Sequence, residues 1–255
     1  MIVFDKNLFK NKTIIVTGAS SGIGKDLSVQ LSFLGATVIC LGRNAERLNK
    51  TLLALKKNNH HKYVVDLSNT EKAYAAFMQV RENFQSIDGI FHGAGEELLK
   101  LSRLIKNKDI DKVFGASVFG ALGLSKAAQT KDYFSKQGGS IVFLSSVASQ
   151  KGQFGMTSYG SSRSAILGLT KNLAIELGIK KIRVNAIIAG AIKTEMHFRI
   201  IKSLTQKSIK DYEDKHVFGF GEPKDISNAA IFLLSEAGKW ITGSDLLIDG
   251  GYMVK

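Results

Sequence analysis

The 255-residue chain has one cysteine, Cys40, and one proline, Pro223. A lone thiol excludes an internal disulfide framework and suits a reducing compartment. No Pro-rich or low-complexity tract divides the sequence, so nothing in it marks a linker between two domains. Nowhere is there the run of about 20 apolar residues that a membrane-spanning helix needs, and the opening MIVFDKNLFKNK lacks an apolar stretch of signal-peptide length. Zinc-ligand spacing and RNA-binding signatures are also missing. The net charge of +13 is spread along the chain without a block of five or more like charges. These absences predict a cytoplasmic protein that binds no metal, nucleic acid or membrane. The positive charge leaves room for an anionic ligand or partner.

What is present is a 44% hydrophobic chain in which short β-branched runs alternate with longer amphipathic stretches. Strands are predicted over 12–18, 37–42, 62–68, 87–95, 139–146, 183–190 and 244–251. Helices are expected from Gly22 to Leu34, from near Asn44, and after Asn69. Near-continuous apolar strands separated by helices argue for a parallel sheet covered on both faces. Such a sheet binds ligands beyond the carboxyl ends of its strands. In this sequence those ends carry TGASSGIG, GRN, DLS, HGAG, LSS and AGAIKT, where glycine and small polar residues collect.

TGASSGIG spans residues 17–24 and joins a strand to a helix, the context that gives a glycine trio meaning. Gly18 permits a tight turn, Gly22 lets backbone approach a pyrophosphate, and Gly24 allows close helix packing. The helix start then offers N–H groups and a positive dipole end to phosphate. Gly18, Ser20, Ser21, Gly22, Ile23 and Gly24 are therefore candidate dinucleotide contacts. At the end of the second strand an acid would bind the ribose hydroxyls of NAD and repel a 2′-phosphate. Gly42 and Arg43 stand there instead. A guanidinium suits phosphate, so NADP(H) is expected over NAD(H). Asp66, in VVDLS, is placed to accept from an adenine amino group, with Leu67 beside it.

Tyr159 lies four residues ahead of Arg163 in SYGSSRSA, which puts both side chains on one helix face. A phenol ordinarily titrates near pH 10, and a neighbouring cation favours its charged form. With TGASSGIG, HGAG at 92–95, LSS at 144–146, RVNAIIAGAIKT and ITGSDLLIDGG, the chain resembles the short-chain dehydrogenase/reductases from about Asn11 to Met253. The resemblance implies a single-domain, doubly wound Rossmann-type α/β fold with a seven-stranded parallel sheet, assembled as a homotetramer or homodimer. It also implies hydride transfer between a nicotinamide and a carbonyl or alcohol. Tyr159 matches the family's acid/base, and Ser146, thirteen residues earlier, matches its serine. Gly93, Ala94 and Gly95 match the segment beside the nicotinamide ribose. Ile192 and Thr194 match contacts to the carboxamide and phosphates.

The family tetrad of asparagine, serine, tyrosine and lysine is changed at two positions. Arg163 stands at the lysine position and Ser117, in FGASVFGA, at the asparagine position. Arginine keeps the charge and can donate to ribose, but it does not deprotonate in proteins. His92 and Gly93 stand where two asparagines are usual, and Ala189 stands for a proline. His92, ending a buried strand, reads as structural. Two functions follow. One is an NADPH-dependent carbonyl reductase, with a 3-oxoacyl thioester on an acyl carrier protein as leading substrate. The other is an inactive or weakly active NADP(H)-binding sensor or scaffold. Residues 194–222 are expected to form a substrate lid, with Met196, Phe198, Ile200, Ile201 and Phe218 as candidate apolar lining.

Overall fold

The computed structural model describes residues 4–56, 59–130, 133–202 and 205–255. Seven strands form one sheet: β1 (Thr13–Thr17), β2 (Thr37–Gly42), β3 (His61–Val64), β4 (Gly89–His92), β5 (Gly139–Ser146), β6 (Ile182–Ala189) and β7 (Asp245–Ile248). Their order is β3-β2-β1-β4-β5-β6-β7. Every pairing is parallel, from Thr13 against Thr37 in β1–β2 to Ala189 against Ile248 in β6–β7. The predicted architecture is the observed one.

Alternation along each strand feeds two apolar layers, because successive side chains point to opposite faces. Ile14 and Val16 pack with helices α1 (Gly22–Phe33), α2 (Ala45–Ala54) and α9 (Pro223–Leu234), through Leu27, Leu48 and Ile231. Ile15 packs on the other face with α3 (Thr70–Asn83), α5 (Gly120–Gln129) and α6 (Thr157–Gly178), through Phe77, Leu124 and Ile166. Asn44 and Asn69 cap α2 and α3 with their side-chain oxygens, accepting from the N–H groups of Arg47 and Lys72.

Three predicted strands are shortened by three or more residues. β3 stops at Val64 because Asp66 turns the chain, its carboxylate accepting from the Ser68 N–H at 3.0 Å and the Ser68 hydroxyl at 2.9 Å. β4 stops at His92, before the loop that starts at Gly93, and β7 is confined to Asp245–Ile248. Between α4 (Asn107–Phe114) and α5 lies one π turn, Gly115–Phe119, that periodicity does not reveal. Two short helices, α7 (Glu195–Ile201) and α8 (Gln206–Glu213), fall within the segment read as a lid; residues 203 and 204 of that segment are outside the described residues. The strand order reverses between β1 and β4, which opens a crevice above their carboxyl ends.

Candidate active site

A cleft of about 1090 Å³ occupies that crevice and extends over β5 towards α7. Every sequence-selected site residue lines it except Asp66 and Ser117. At one end its walls are backbone. Gly18 has φ +69° and Gly22 φ +50°, conformations that favour glycine. A Cβ on Gly18 would come within 3.0 Å of the Gly93 carbonyl group, and one on Gly24 would overlap the Gly18 carbonyl oxygen. Ser21 opens α1 without a side-chain cap, and the first turn holds no acid. Among the described residues, exposed Glu195 reaches these amides, its carboxylate accepting from Gly22 N–H at 3.0 Å. A close glycine turn with helix amides facing a cleft fits a dinucleotide pyrophosphate. Leu67 lines the neighbouring wall. The Asp66 carboxylate is engaged by Lys72 at 2.7 Å and by Ser68, and the Lys72 bond first of all holds it below its ordinary range.

At the other end the walls are side chains. Tyr159 and Arg163 lie on one face of α6, both buried, with the guanidinium carbon 5.0 Å from the phenol ring centroid. Arg163 Nη1 donates to the Leu144 carbonyl at 2.8 Å, and its backbone carbonyl accepts from the Ser145 hydroxyl at 2.9 Å. These bonds pin α6 to the end of β5. Arginine fits because the opposing loop residue is glycine: a Cβ on Gly95 would overlap Arg163 Nη2. Ser146 Oγ accepts from the Ala148 N–H at 3.3 Å, leaving its own hydrogen for a ligand. Ser117 is buried in the π turn, and its hydroxyl donates to the Val113 carbonyl at 2.7 Å.

His92 is buried beneath this end. Its Nε2 meets the carbonyls of Ala116 and Ser117 at 2.9 and 3.0 Å, and its Nδ1 meets the Thr17 hydroxyl at 3.0 Å. Carbonyls only accept, so Nε2 carries the hydrogen and Nδ1 accepts from Thr17. Thr17 Oγ1 in turn accepts from the Ala94 N–H at 3.1 Å. One imidazole thereby ties β1, the HGAG loop and the π turn together. Burial pushes it down to about pH 4, so it is neutral at pH 7.

Two glutamates that the sequence reading passed over also line the cleft. Burial pushes Glu97 up to about 7, against the pull of Arg163 and Arg199. Glu96 accepts from Arg43 Nη2 at 2.6 Å and pairs with Lys112 Nζ at 2.9 Å. The signal available for both was their place directly after HGAG. Of the proposed apolar lining, Met196, Ile200 and Ile201 face the cleft. Phe198 and Phe218 do not line it, and Phe218 is almost fully exposed. Within residues 194–222, Phe220 stacks edge-on with His197 at 4.6 Å and His216 at 5.5 Å between ring centroids.

A family model described as Enoyl-(Acyl carrier protein) reductase matches residues 18–253. The chain belongs to the short-chain dehydrogenase/reductase family. It is 32% identical over 247 residues to the 3-oxoacyl-[acyl-carrier-protein] reductase FabG of Rickettsia bellii, covering 95% of this chain and 97% of that one. It is 30% identical to carbonyl reductase family member 4 of Xenopus laevis, covering 94% and 98%. Among solved structures it is similar to a 4-hydroxyisoleucine dehydrogenase complexed with NADH, with TM-score 0.88, 28% identity, and coverage of 96% and 100%. The chain is an NAD(P)-dependent oxidoreductase of this family, acting between alcohol and carbonyl groups. Among its described residues no helix is long and apolar enough to cross a membrane.

Proposed function

We propose that the chain reduces a ketone to an alcohol with NADPH, with Tyr159 as general acid. The observation that carries this reading is the buried Tyr159–Arg163 pair, one helical turn apart, beside Ser146 on the wall of a dinucleotide-sized cleft. When bound, the reduced nicotinamide supplies the hydride. Ser146 donates its hydrogen to the substrate carbonyl oxygen and fixes the reacting carbon. Tyr159 gives its proton to that oxygen as negative charge develops there. Arg163 donates to the nicotinamide ribose and keeps a permanent positive charge against the phenol. Because arginine does not release a proton, Tyr159 is reprotonated from the cleft rather than through residue 163. Ser117 has no direct part in this reading, since its hydroxyl is bound to Val113.

Arg43, next to Gly42 with no acid at the end of β2, supports NADP(H) as the preferred cofactor. The leading substrate is a 3-oxoacyl thioester carried on an acyl carrier protein. The names of the reductase relatives support it, and a net charge of +13 suits an acidic carrier. Residues 1–255 act as one domain with a substrate lid at 194–222, supported by Met196, Ile200 and Arg199 in the cleft wall. A cytoplasmic homotetramer or homodimer is the working assembly, and exposed Trp240 and partly exposed Leu247 offer apolar surface for it. The spent Ser117 hydroxyl and the arginine at 163 favour one competing reading, a sensor or scaffold that binds NADP(H) without turnover.

NADPH oxidation against a panel of 3-oxoacyl thioesters, steroid ketones and small ketones tests the proposal. The expected result is turnover of at least one class, lost by about 10²- to 10⁴-fold in Tyr159→Phe while NADPH still binds. Tight NADPH binding with no turnover on any class would favour the sensor. Full activity in the phenylalanine variant would remove Tyr159 from the mechanism.

A further inference from the structure

In the sheet, β2 and β4 flank β1, so residues just past β2 and β4 can meet only across the carboxyl end of β1. Arg43 and Glu96 do meet, at 2.6 Å, directly over the Gly18–Gly24 turn. The second oxygen of Glu96 holds Lys112, on α4, at 2.9 Å. Both cations are more than half exposed, at 64% and 56%, whereas the Glu96 side chain is 21% exposed. All three line the cleft. The result is a charge strap, cation–carboxylate–cation, lying across the end of the cleft where the adenosine ribose of a dinucleotide belongs. Burial alone would raise the Glu96 carboxyl, but hydrogen bonds from Lys112 and Arg43 outweigh it and hold the group below its ordinary range.

A carboxylate held between two cations is a stand-in for phosphate. A 2′-phosphate offers more oxygens and more negative charge, and arginine takes it in the same forked geometry. Exposed ion pairs are weak, so the strap opens at small cost. A ribose lacking the phosphate offers hydroxyl donors, which a carboxylate can accept. We infer that Glu96 is a cofactor-discriminating residue: it competes with the 2′-phosphate for Arg43 and Lys112, and Lys112 is the second phosphate cation. Glu96 therefore moderates the preference that Arg43 creates. It performs, from the β4 side, the task of the acid missing at the end of β2. The inference rests on the proposed placement of the adenosine ribose beside Arg43, and refines how strongly the site favours NADP(H).

Calorimetric binding of NADPH, NADH, 2′,5′-ADP and 5′-AMP to the wild type, Glu96→Gln and Lys112→Met decides it. Glu96→Gln should tighten NADPH and 2′,5′-ADP by about fivefold, the size of one or two exposed ion pairs, and leave NADH and 5′-AMP unchanged or weaker. Lys112→Met should weaken only the two 2′-phosphorylated ligands, by a similar factor. An NADPH-to-NADH affinity ratio that stays within about twofold of wild type in Glu96→Gln overturns the inference. So does an equal loss for phosphorylated and unphosphorylated ligands in Lys112→Met. Wild type that binds NADH as tightly as NADPH would defeat the proposed cofactor preference, while the shift in Glu96→Gln would still decide the role of Glu96.

Discussion

At the glycine-turn end of the cleft, the closest contacts that exclude other residue types are backbone to backbone, Gly24 against the Gly18 carbonyl and Gly18 against Gly93, with the Thr194 side chain facing Gly22. At the Tyr159 end they are side chain to side chain or side chain to backbone: Arg163 against Tyr159, Leu144 and Gly95, and His92 against the π turn. Backbone cannot yield without moving a strand or a helix, so glycine is required at the first end. Side chains exchange more freely where a neighbour makes room. Gly95 makes that room. With glycine at this loop position, the Arg163 guanidinium has room to lie with its carbon 5.0 Å from the Tyr159 ring centroid.

Two alanine substitutions test this contrast, with the largest effects expected here. In Gly24→Ala the new Cβ overlaps a backbone carbonyl inside the α1 turn. We expect a loss of about 1–3 kcal/mol in stability and at least tenfold weaker NADPH binding. In Gly95→Ala the Cβ overlaps only the Nη2 end of Arg163, a flexible group. Stability should stay near wild type and NADPH affinity should fall by less than in Gly24→Ala, through the ribose contact proposed for Arg163, while turnover falls by roughly 10- to 100-fold because the guanidinium is displaced by about 1 Å. Thermal unfolding and fluorescence titration with NADPH, set beside turnover, separate the two. Equal damage from both variants to fold and cofactor binding would show that the two ends are not built differently.

The contrast also explains what could be read from residues alone. Glycine at positive φ and a close helix start are backbone requirements, and the sequence states them directly in TGASSGIG. Tyr159 and Arg163 were legible through helical spacing. A parallel sheet covered on both faces followed from near-continuous apolar strands separated by helices, whereas the strand order is set by packing that no single strand encodes. Asp66 was placed at the right strand end, but the local Ser68 and Lys72 bonds that engage its carboxylate depend on a turn that strand patterning hides. Adjacent Glu96 and Glu97 look alike in sequence and differ completely in place. One is strapped between Arg43 and Lys112, and the other is half-buried near Arg163 and Arg199. That difference is set by which elements pack around the loop after β4.

Glu97 gives the intermediate test. Its carboxyl sits at about 7 in the folded chain against 4.5 as reference, so the folded state holds this proton more tightly than the unfolded one. Its contribution is fully present below the reference value and is lost as pH rises through about 7. Glu97→Gln should therefore reduce the fall in melting temperature between pH 5 and pH 8. It should also remove the Glu97 ionisation near pH 7 from the pH dependence of turnover. An unchanged difference in melting temperature between the two pH values would place the carboxyl in water rather than in the cleft wall.

The smallest effect at neutral pH, and the opposite sign, belongs to His92. Its imidazole is neutral in the fold, with its ordinary value of 6.5 lowered to about 4 by burial. The unfolded chain takes up the proton first, so stability falls as pH drops from about 6.5 towards 4. Protonation would put a hydrogen on Nδ1, against the hydrogen that Thr17 now donates, and would bury a charge near Arg163. Asparagine can donate one N–H to the π-turn carbonyls and accept from Thr17 without titrating. His92→Asn should change stability by about 1 kcal/mol or less at pH 7 and flatten the acid limb between pH 6.5 and 4. If the acid limb persists in that variant, another group carries it, and His92 holds the π turn without making it sensitive to pH.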